Sequence, residues 1–158
     1  MTEASVAASD EMVALKRSAT MKLPPWLRKG AARAELVLKR LPVLAAAYIY
    51  GSALKTPAHR DVDVALLLRP SRRRPADSRL AAIALDLDKA FGTETDLRLL
   101  DQLPDPVRHR VIRDGVRLVT PDPLCAIRFE SETFIRYLDF KPVFDRLNDC
   151  ILRRASRG

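Results

Sequence analysis

The chain is 158 residues long, with 47% hydrophobic and 30% charged residues and a formal net charge of +8. These values are ordinary for a soluble globular protein with one buried core. The basic excess favours an anionic partner, such as a nucleotide, a nucleic acid or an acidic protein face, although a solvated basic surface explains it equally well. Aromatic residues make up only 6% of the chain and do not interleave with the basic clusters, so direct nucleic-acid binding is not expected.

The cysteines and the hydropathy pattern indicate the compartment. Cys125 and Cys150 lack the spacing of a metal site, and they predict no disulfide framework. No apolar run approaches the roughly 20 residues of a membrane span. No signal-peptide pattern is present either. We therefore expect a cytoplasmic protein without membrane contacts.

The N-terminal part divides near residue 23. Residues 1–23 are rich in Ala, Ser and Thr and predict a flexible extension. Residues 24–158 read as a single domain, with C-terminal helices over residues 122–155. Pro24 and Pro25 suit a helix start, and a helix-period apolar stripe predicts that this helix ends near Leu41 and Pro42.

The most informative stretch is a strand, a turn and a second strand. Ala45–Tyr50 is a run of strand formers that stops at Gly51 and Ser52. After a loop, Asp61 and Asp63 open a second apolar run that ends at Leu68. Residues two apart on a strand share one face, about 6–7 Å apart, so the two carboxylates lie side by side. Such a pair repels unless a cation neutralises it, and beside a Gly-Ser turn it is typical of a nucleotide site that uses magnesium.

The rest of the chain alternates between helices and strands. Asp77 or Ser78 is the predicted cap of a helix that ends at Gly92, and Glu94–Leu100 predicts a third strand. A helix is predicted over Pro104–Asp114, with Val107, Val111 and Ile112 inward and His109 mostly outward, and a strand over Val116–Val119. A long helical pattern follows over Leu124–Leu152, and Pro142 is expected to kink or split it. Its apolar positions are Ile127, Phe134, Leu138, Phe144, Leu147 and Ile151. This order predicts an α/β (α+β) fold, a small mixed β-sheet flanked by helices.

Asp96 falls within the third predicted strand, on the same face as Glu94 and Arg98. A third carboxylate beside the first pair would complete a two-metal site. An ion pair between Asp96 and Arg98 is the alternative, in which Asp96 is structural.

The pattern of Gly51-Ser52, a loop, Asp61 and Asp63, and then Asp96 resembles the minimal nucleotidyltransferase antitoxins of the polymerase-β-like superfamily. The stretches Pro106–Val119 and Tyr137–Pro142 also look like this family. The resemblance covers roughly Leu41 to Leu152. It implies a polymerase-β-like nucleotidyltransferase fold with a C-terminal helical segment.

The resemblance also implies an activity. It implies adenylyl transfer from ATP to a tyrosine hydroxyl of a cognate HEPN-type RNase toxin, which silences the toxin in a heterocomplex. Asp61, Asp63 and Asp96 would be the catalytic residues and would bind two Mg²⁺ ions. Gly51, Ser52 and Lys55 would bind the nucleotide. Lys55, Arg60 and Arg69 are candidates for phosphate or partner contacts, whereas His59 and His109 are expected at the surface because neither has a second His or Cys at metal spacing.

This chain departs from the family pattern at three points. The loop before Asp61 is two residues shorter than usual, Arg60 stands where Ser is common, and Glu94 replaces an apolar residue. The shortened loop keeps a second function open, in which the chain is a non-catalytic antitoxin that blocks its toxin by contact. A nucleotidyltransferase for a small hydroxyl substrate and a DNA-binding regulator are further alternatives.

Overall fold

A computed structural model describes residues 23–70 and 74–155. The predicted extension therefore lies outside the described residues apart from Leu23, as does the middle of the basic loop after Arg69. Its helices are α1 (Pro25–Leu38), α2 (Asp77–Phe91), α3 (Asp105–Asp114) and α4 (Pro123–Ala155), and its strands are β1 (Leu44–Tyr50), β2 (Asp61–Leu68), β3 (Glu94–Leu99) and β4 (Val116–Val119). Short 3₁₀ turns cover Ser52–Leu54 and Leu100–Gln102.

The strands form one mixed sheet in the order β3-β2-β1-β4. β1 is antiparallel to both β2 and β4, whereas β2 and β3 are parallel. The sheet and its surrounding helices confirm the predicted fold class. Among the described residues, no helix is both long enough and apolar enough to cross a membrane.

Two hydrophobic clusters lie on opposite faces of the sheet. On one face α1 and α2 cover Val62, Val64 and Leu66 of β2. On the other face α3 and the start of α4 cover Ala65 and Leu67. Because side chains alternate along a strand, Asp61 and Asp63 fall on this second face, at the end of β2 where it begins. Leu23, the last residue of the predicted extension, is buried in the first cluster.

Several element ends differ from the sequence-based predictions. α1 ends at Leu38 rather than near Leu41, because short-range hydrogen bonds of Arg40 to Val37 and Leu41 to Leu38 tighten the chain into a turn. Ala76, and not Asp77 or Ser78, precedes α2 without a side-chain cap, and Asp77 lies in the first turn, where its charge favours the helix dipole. Gly92 ends α2 with φ of 74°, as expected of a left-handed helix end.

The C-terminal segment is one helix rather than two. Pro142 lies inside α4 and does not split it. A proline removes one N–H donor and crowds one carbonyl, which costs about 3 kcal/mol, but water can satisfy the freed carbonyl at an exposed position. Pro142 is exposed, so the helix continues. The predicted apolar positions Phe144, Leu147 and Ile151 have side chains outside the described part of the structure.

His109 is buried, so the prediction of a surface position was wrong. Its ring stacks on Tyr137 of α4 with centroids 3.7 Å apart and meets Phe134 edge-on at 4.9 Å. Burial and the nearby positive charge of Arg113 lower its pKa. The neutral imidazole thus acts as an aromatic contact between α3 and α4.

Candidate active site

The register between β2 and β3 brings the predicted carboxylates together. Asp63 pairs with Asp96, and Asp61 pairs with Glu94. Paired residues of adjacent strands project from the same face of a sheet, so these side chains form an acidic cluster on one face, defined as Asp61, Asp63, Glu94 and Asp96. Glu94 is the member that the motif did not predict as part of a site.

The electrostatics of the acidic cluster centre on Asp63. Burial raises the pKa of its carboxyl group, and the negative charges of Asp61 and Asp96 raise it further, against a smaller lowering effect of Arg98. Tyr50 pairs with Asp63 across β1 and β2, and burial together with the charges of Asp63 and Asp96 raises the pKa of its hydroxyl group. The cluster therefore carries negative charge that the protein neutralises only in part.

Arg98 provides that partial neutralisation. Its Nε atom donates to Asp96 Oδ2 at 2.9 Å, and its Nη2 atom lies 2.8 Å from the same oxygen, which is the predicted ion pair. Within the described ranges, no three His, Cys, Asp or Glu side chains come close enough to hold a metal ion. Carboxylate oxygens are nonetheless the donors that Mg²⁺ prefers, and burial and two neighbouring negative charges raise the pKa of Asp63, so the donor chemistry of Asp61 and Asp63 fits magnesium. Asp96 would join them once a metal ion replaces Arg98 as its partner.

The Gly51 turn is built against the same carboxylates. Gly51 has φ of 81° and ψ of −153°, a conformation that is almost restricted to glycine. A Cβ atom at this position would overlap the Asp63 carboxylate. Ser52 is exposed directly after it, and Trp26 Nε1 of α1 donates to the Ala53 carbonyl at 3.0 Å. The turn is therefore held in place from α1 and lies in contact with the acidic cluster.

A cleft of about 450 Å³ adjoins the turn. We call it the α3 cleft; its lining includes Tyr50, Gly51 and Lys55 from β1 and the turn after it, and Arg110, Asp114 and Val116 from α3 and β4. Of the predicted nucleotide-binding residues, Gly51 and Lys55 line it, while Ser52 lies between them in sequence. Arg110 was not predicted, because only the docking of α3 against β1 brings it to this place.

The family model described as Polymerase beta, Nucleotidyltransferase matches residues 34–124, more than half of the chain. The chain belongs to this nucleotidyltransferase family. The matched residues include the Gly51 turn, Lys55, Arg110 and the whole acidic cluster. Among curated proteins, no sequence matches this chain.

Solved structures with the family fold include several toxin–antitoxin complexes. A mutant MntA–HepT toxin–antitoxin structure aligns with a TM-score of 0.64 and 17% identity, covering 77% of this chain and 98% of that chain. A toxin–antitoxin structure with AMP-PNP gives 0.63 and 20% identity, with coverage of 77% and 98%. A tri-AMPylated Shewanella oneidensis HEPN toxin in complex with MNT antitoxin gives 0.53 and 19% identity, with coverage of 75% and 95%. At these identities the likeness establishes the fold.

One predicted contact residue lies away from the acidic cluster of this family member. Arg69 follows the last residue of β2, at the opposite end of that strand from Asp61. Its Nε atom donates to Asp122 Oδ2 at 3.0 Å and its Nη1 atom to the Pro42 carbonyl at 3.2 Å. Arg69 therefore ties three segments of the chain together.

The Arg60 carbonyl accepts a 2.7 Å hydrogen bond from the Thr93 hydroxyl, which fixes the chain just before Asp61.

Proposed function

We propose that this nucleotidyltransferase is an antitoxin that transfers AMP from ATP to a tyrosine hydroxyl of a HEPN-type RNase toxin. The observation that carries the proposal is the pairing of Asp63 with Asp96 beside the Gly51 turn. The cytoplasm, where ATP and Mg²⁺ are abundant, is the proposed compartment. The structure with AMP-PNP and the structure of the tri-AMPylated toxin, both similar in fold, support the donor and the acceptor.

Asp61 and Asp63 would hold Mg²⁺ together with Asp96 once Asp96 exchanges Arg98. Bound magnesium would supply charge neutralisation on the phosphate oxygens. The Gly51 turn, Ser52 and Lys55 would position the triphosphate, so that the acceptor reacts as part of one bound complex rather than by free encounter. Gly51 lies against the Asp63 carboxylate, so phosphates held at this turn would lie next to the acidic cluster.

In the proposed transfer, the tyrosine oxygen forms a bond to the α-phosphorus. The bond between the α-phosphorus and the oxygen that bridges to the β-phosphate breaks, and pyrophosphate leaves with that electron pair. Asp96 is the proposed acceptor of the hydroxyl proton, since it lies at the β3 side of the acidic cluster, farthest from the Gly51 turn in strand order. The products are the O-adenylylated toxin and pyrophosphate.

α4 is the proposed surface for the toxin. Leu124, Ile127, Ile135 and Leu138 are each more than half exposed. Their spacing places them on one side of the helix. The opposite side packs on the protein through Ala126 and Phe129. Exposed apolar side chains that line up in this way are typical of a protein interface.

The test uses the purified toxin of the neighbouring reading frame with ATP and Mg²⁺. Mass spectrometry should show toxin that gains the mass of one or more adenylyl groups, with many toxin molecules modified per antitoxin molecule. Asp61→Ala, Asp63→Ala and Asp96→Ala should each abolish transfer, because each removes a carboxylate needed to neutralise charge at the α-phosphate. Asp77→Ala is the matched control, since Asp77 is an exposed acid at the start of α2, away from α4, with no ion pair in the described structure.

The ion pair between Asp96 and Arg98 favours a second candidate function. If Asp96 stays bound to Arg98, the carboxylates never assemble a metal site, and the protein silences its toxin by contact alone. The triple variant of Asp61, Asp63 and Asp96 separates the two functions. Rescue of toxin-inhibited growth by this variant, with no added mass on the toxin, would establish the contact mechanism and refute adenylyl transfer.

A further inference from the structure

The α3 cleft contains two cationic side chains without partners. Lys55 comes from the turn after β1 and Arg110 from α3, and both are exposed. Neither side chain makes a hydrogen bond or an ion pair with the described part of the chain. Two cationic side chains in the lining of one concave surface are suited to an anion with several charged oxygens.

The carboxylate in the lining, Asp114, has a closer cationic partner than Lys55 or Arg110. Asp114 accepts hydrogen bonds from Arg113 Nε and Nη2 at 2.7 and 2.8 Å. This contact with Arg113, more than the weaker effects of Lys55 and Arg110, holds the pKa of Asp114 below its usual range. Arg113 itself does not line the cleft. The lining therefore carries two cations and one carboxylate, and Arg113 holds that carboxylate from outside the lining.

The positively charged α3 cleft and the acidic cluster lie at different places along the strand order. Tyr50 lines the cleft and pairs with Asp63 across β1 and β2. Asp96 lies on the other side of Asp63, on β3. In the strand order β3-β2-β1-β4, negative charge therefore lies towards β3 and positive charge towards β1 and α3.

We propose that Arg110 and Lys55 bind the β- and γ-phosphates of ATP in the α3 cleft and retain them as the departing pyrophosphate. The inference rests on the proposed function, which it extends with a residue from α3. When the bond between the α-phosphorus and its bridging oxygen breaks, the electron pair moves onto that oxygen of pyrophosphate. Two cations next to this oxygen stabilise the charge that develops there. The cleft, at about 450 Å³, is within the range of roughly 300–1,000 Å³ that small-molecule sites occupy.

Isothermal titration calorimetry with Mg²⁺ present tests the inference through three probes: ATP, inorganic pyrophosphate and AMP. Arg110→Ala and Lys55→Ala should each weaken binding of ATP and pyrophosphate on the order of tenfold, as expected for loss of a charge-assisted contact. AMP binding should be unchanged, because AMP lacks the phosphates that the cleft would hold. Asp114→Asn should tighten pyrophosphate binding, because it removes a negative charge and releases Arg113.

Arg33→Ala is the matched control. Arg33 is an exposed arginine of α1 without a described partner, and it does not line the cleft, so its loss changes net charge by the same amount and should leave all three affinities unchanged. Circular dichroism checks that each variant is folded.

Two results would overturn the inference. One is unchanged pyrophosphate binding in Arg110→Ala, and the other is an equal loss of affinity for AMP, which would place the cations at the nucleoside monophosphate. Failure of the proposed function has a different signature. A wild-type protein that binds pyrophosphate through Arg110 but adds no AMP to its toxin would support the cleft and refute adenylyl transfer.

Discussion

Asp63→Asn should stabilise the metal-free protein. Burial and two neighbouring carboxylates oppose the ionised form of Asp63. Asparagine keeps the shape of the side chain and removes its charge. The substitution therefore isolates the electrostatic cost of placing this carboxylate beside Asp61 and Asp96.

The expected gain follows from Coulomb's law. Two unit charges about 6 Å apart, the spacing of alternate strand residues, repel by about 0.7 kcal/mol in water and about 3 kcal/mol at an effective dielectric constant near 20. Asp63 is partly exposed, so the lower figure applies to its repulsion with Asp61. Arg98 offsets much of the charge of Asp96. We expect a net gain of about 1 kcal/mol in the free energy of unfolding at neutral pH.

The pH dependence of stability gives independently the sign of the stability change caused by Asp63→Asn. The folded-state pKa of Asp63 is raised, so the folded protein holds its proton more tightly than the unfolded chain does. The ionised carboxylate therefore lowers stability above its folded-state pKa, and this cost vanishes as pH falls below the unfolded value of about 3.9. The advantage of Asp63→Asn should be full at neutral pH and should shrink on acidification.

Urea unfolding with EDTA present measures this difference through the transition midpoint at constant slope. Asp139→Asn, at an exposed α4 position, is the control and should change stability little. With Mg²⁺ and ATP present the order should reverse, because only the wild type gains stability from ligand binding. A clear loss of stability in metal-free Asp63→Asn at neutral pH would refute the reasoning, since it would make Asp63 a structural hydrogen-bond acceptor.

Three further substitutions test other parts of the site and fold. Gly51→Ala should cost about 1–3 kcal/mol in unfolding free energy and abolish ATP binding measured by calorimetry, because its backbone conformation is strained for alanine and the added Cβ atom overlaps Asp63. Gly92→Ala is the control: Gly92 also has a positive φ but has open space around it, so this change should cost only about 1–2 kcal/mol and leave ATP binding intact. Arg98→Ala should tighten Mn²⁺ binding measured by electron paramagnetic resonance, because Asp96 loses its competing cation, and weaker binding would argue against Asp96 as a ligand. The lowered pKa of His109 makes the wild type lose stability as pH falls below about 6.5. In His109→Phe the melting temperature should therefore fall less on acidification, and an unchanged pH dependence in thermal melts would contradict this.

The local part of the site could be predicted from sequence because each signal lies within a few residues. Gly51 was recognisable as a turn between two apolar runs, and Asp61 and Asp63 as same-face residues of a strand. The pairing of Asp63 with Asp96 needed one further step, the parallel alignment of β2 and β3. That alignment is what a helix between two strands favours, and α2 is such a helix.

The missed features all depend on contacts between distant segments. Arg110 reaches the α3 cleft only because α3 packs against the end of β1, and no spacing in the sequence encodes that contact. His109 looked exposed on the pattern of α3 alone, and it is buried by Tyr137 of α4, 28 positions away. The continuity of α4 through Pro142 could not be predicted from propensity, because an exposed kink position tolerates what a buried one does not.

The alternation of β2 explains how one short strand combines stability with unfavourable charge. Val62, Val64 and Leu66 are each fully buried against α1 and α2, and burial of such side chains contributes about 1.5–3 kcal/mol each. The opposite face begins with Asp61 and Asp63, whose repulsion costs about 1 kcal/mol. The apolar face thus outweighs the charged face several-fold. Because the two faces share one backbone, the same packing that stabilises the sheet fixes the positions along β2 from which the carboxylates project.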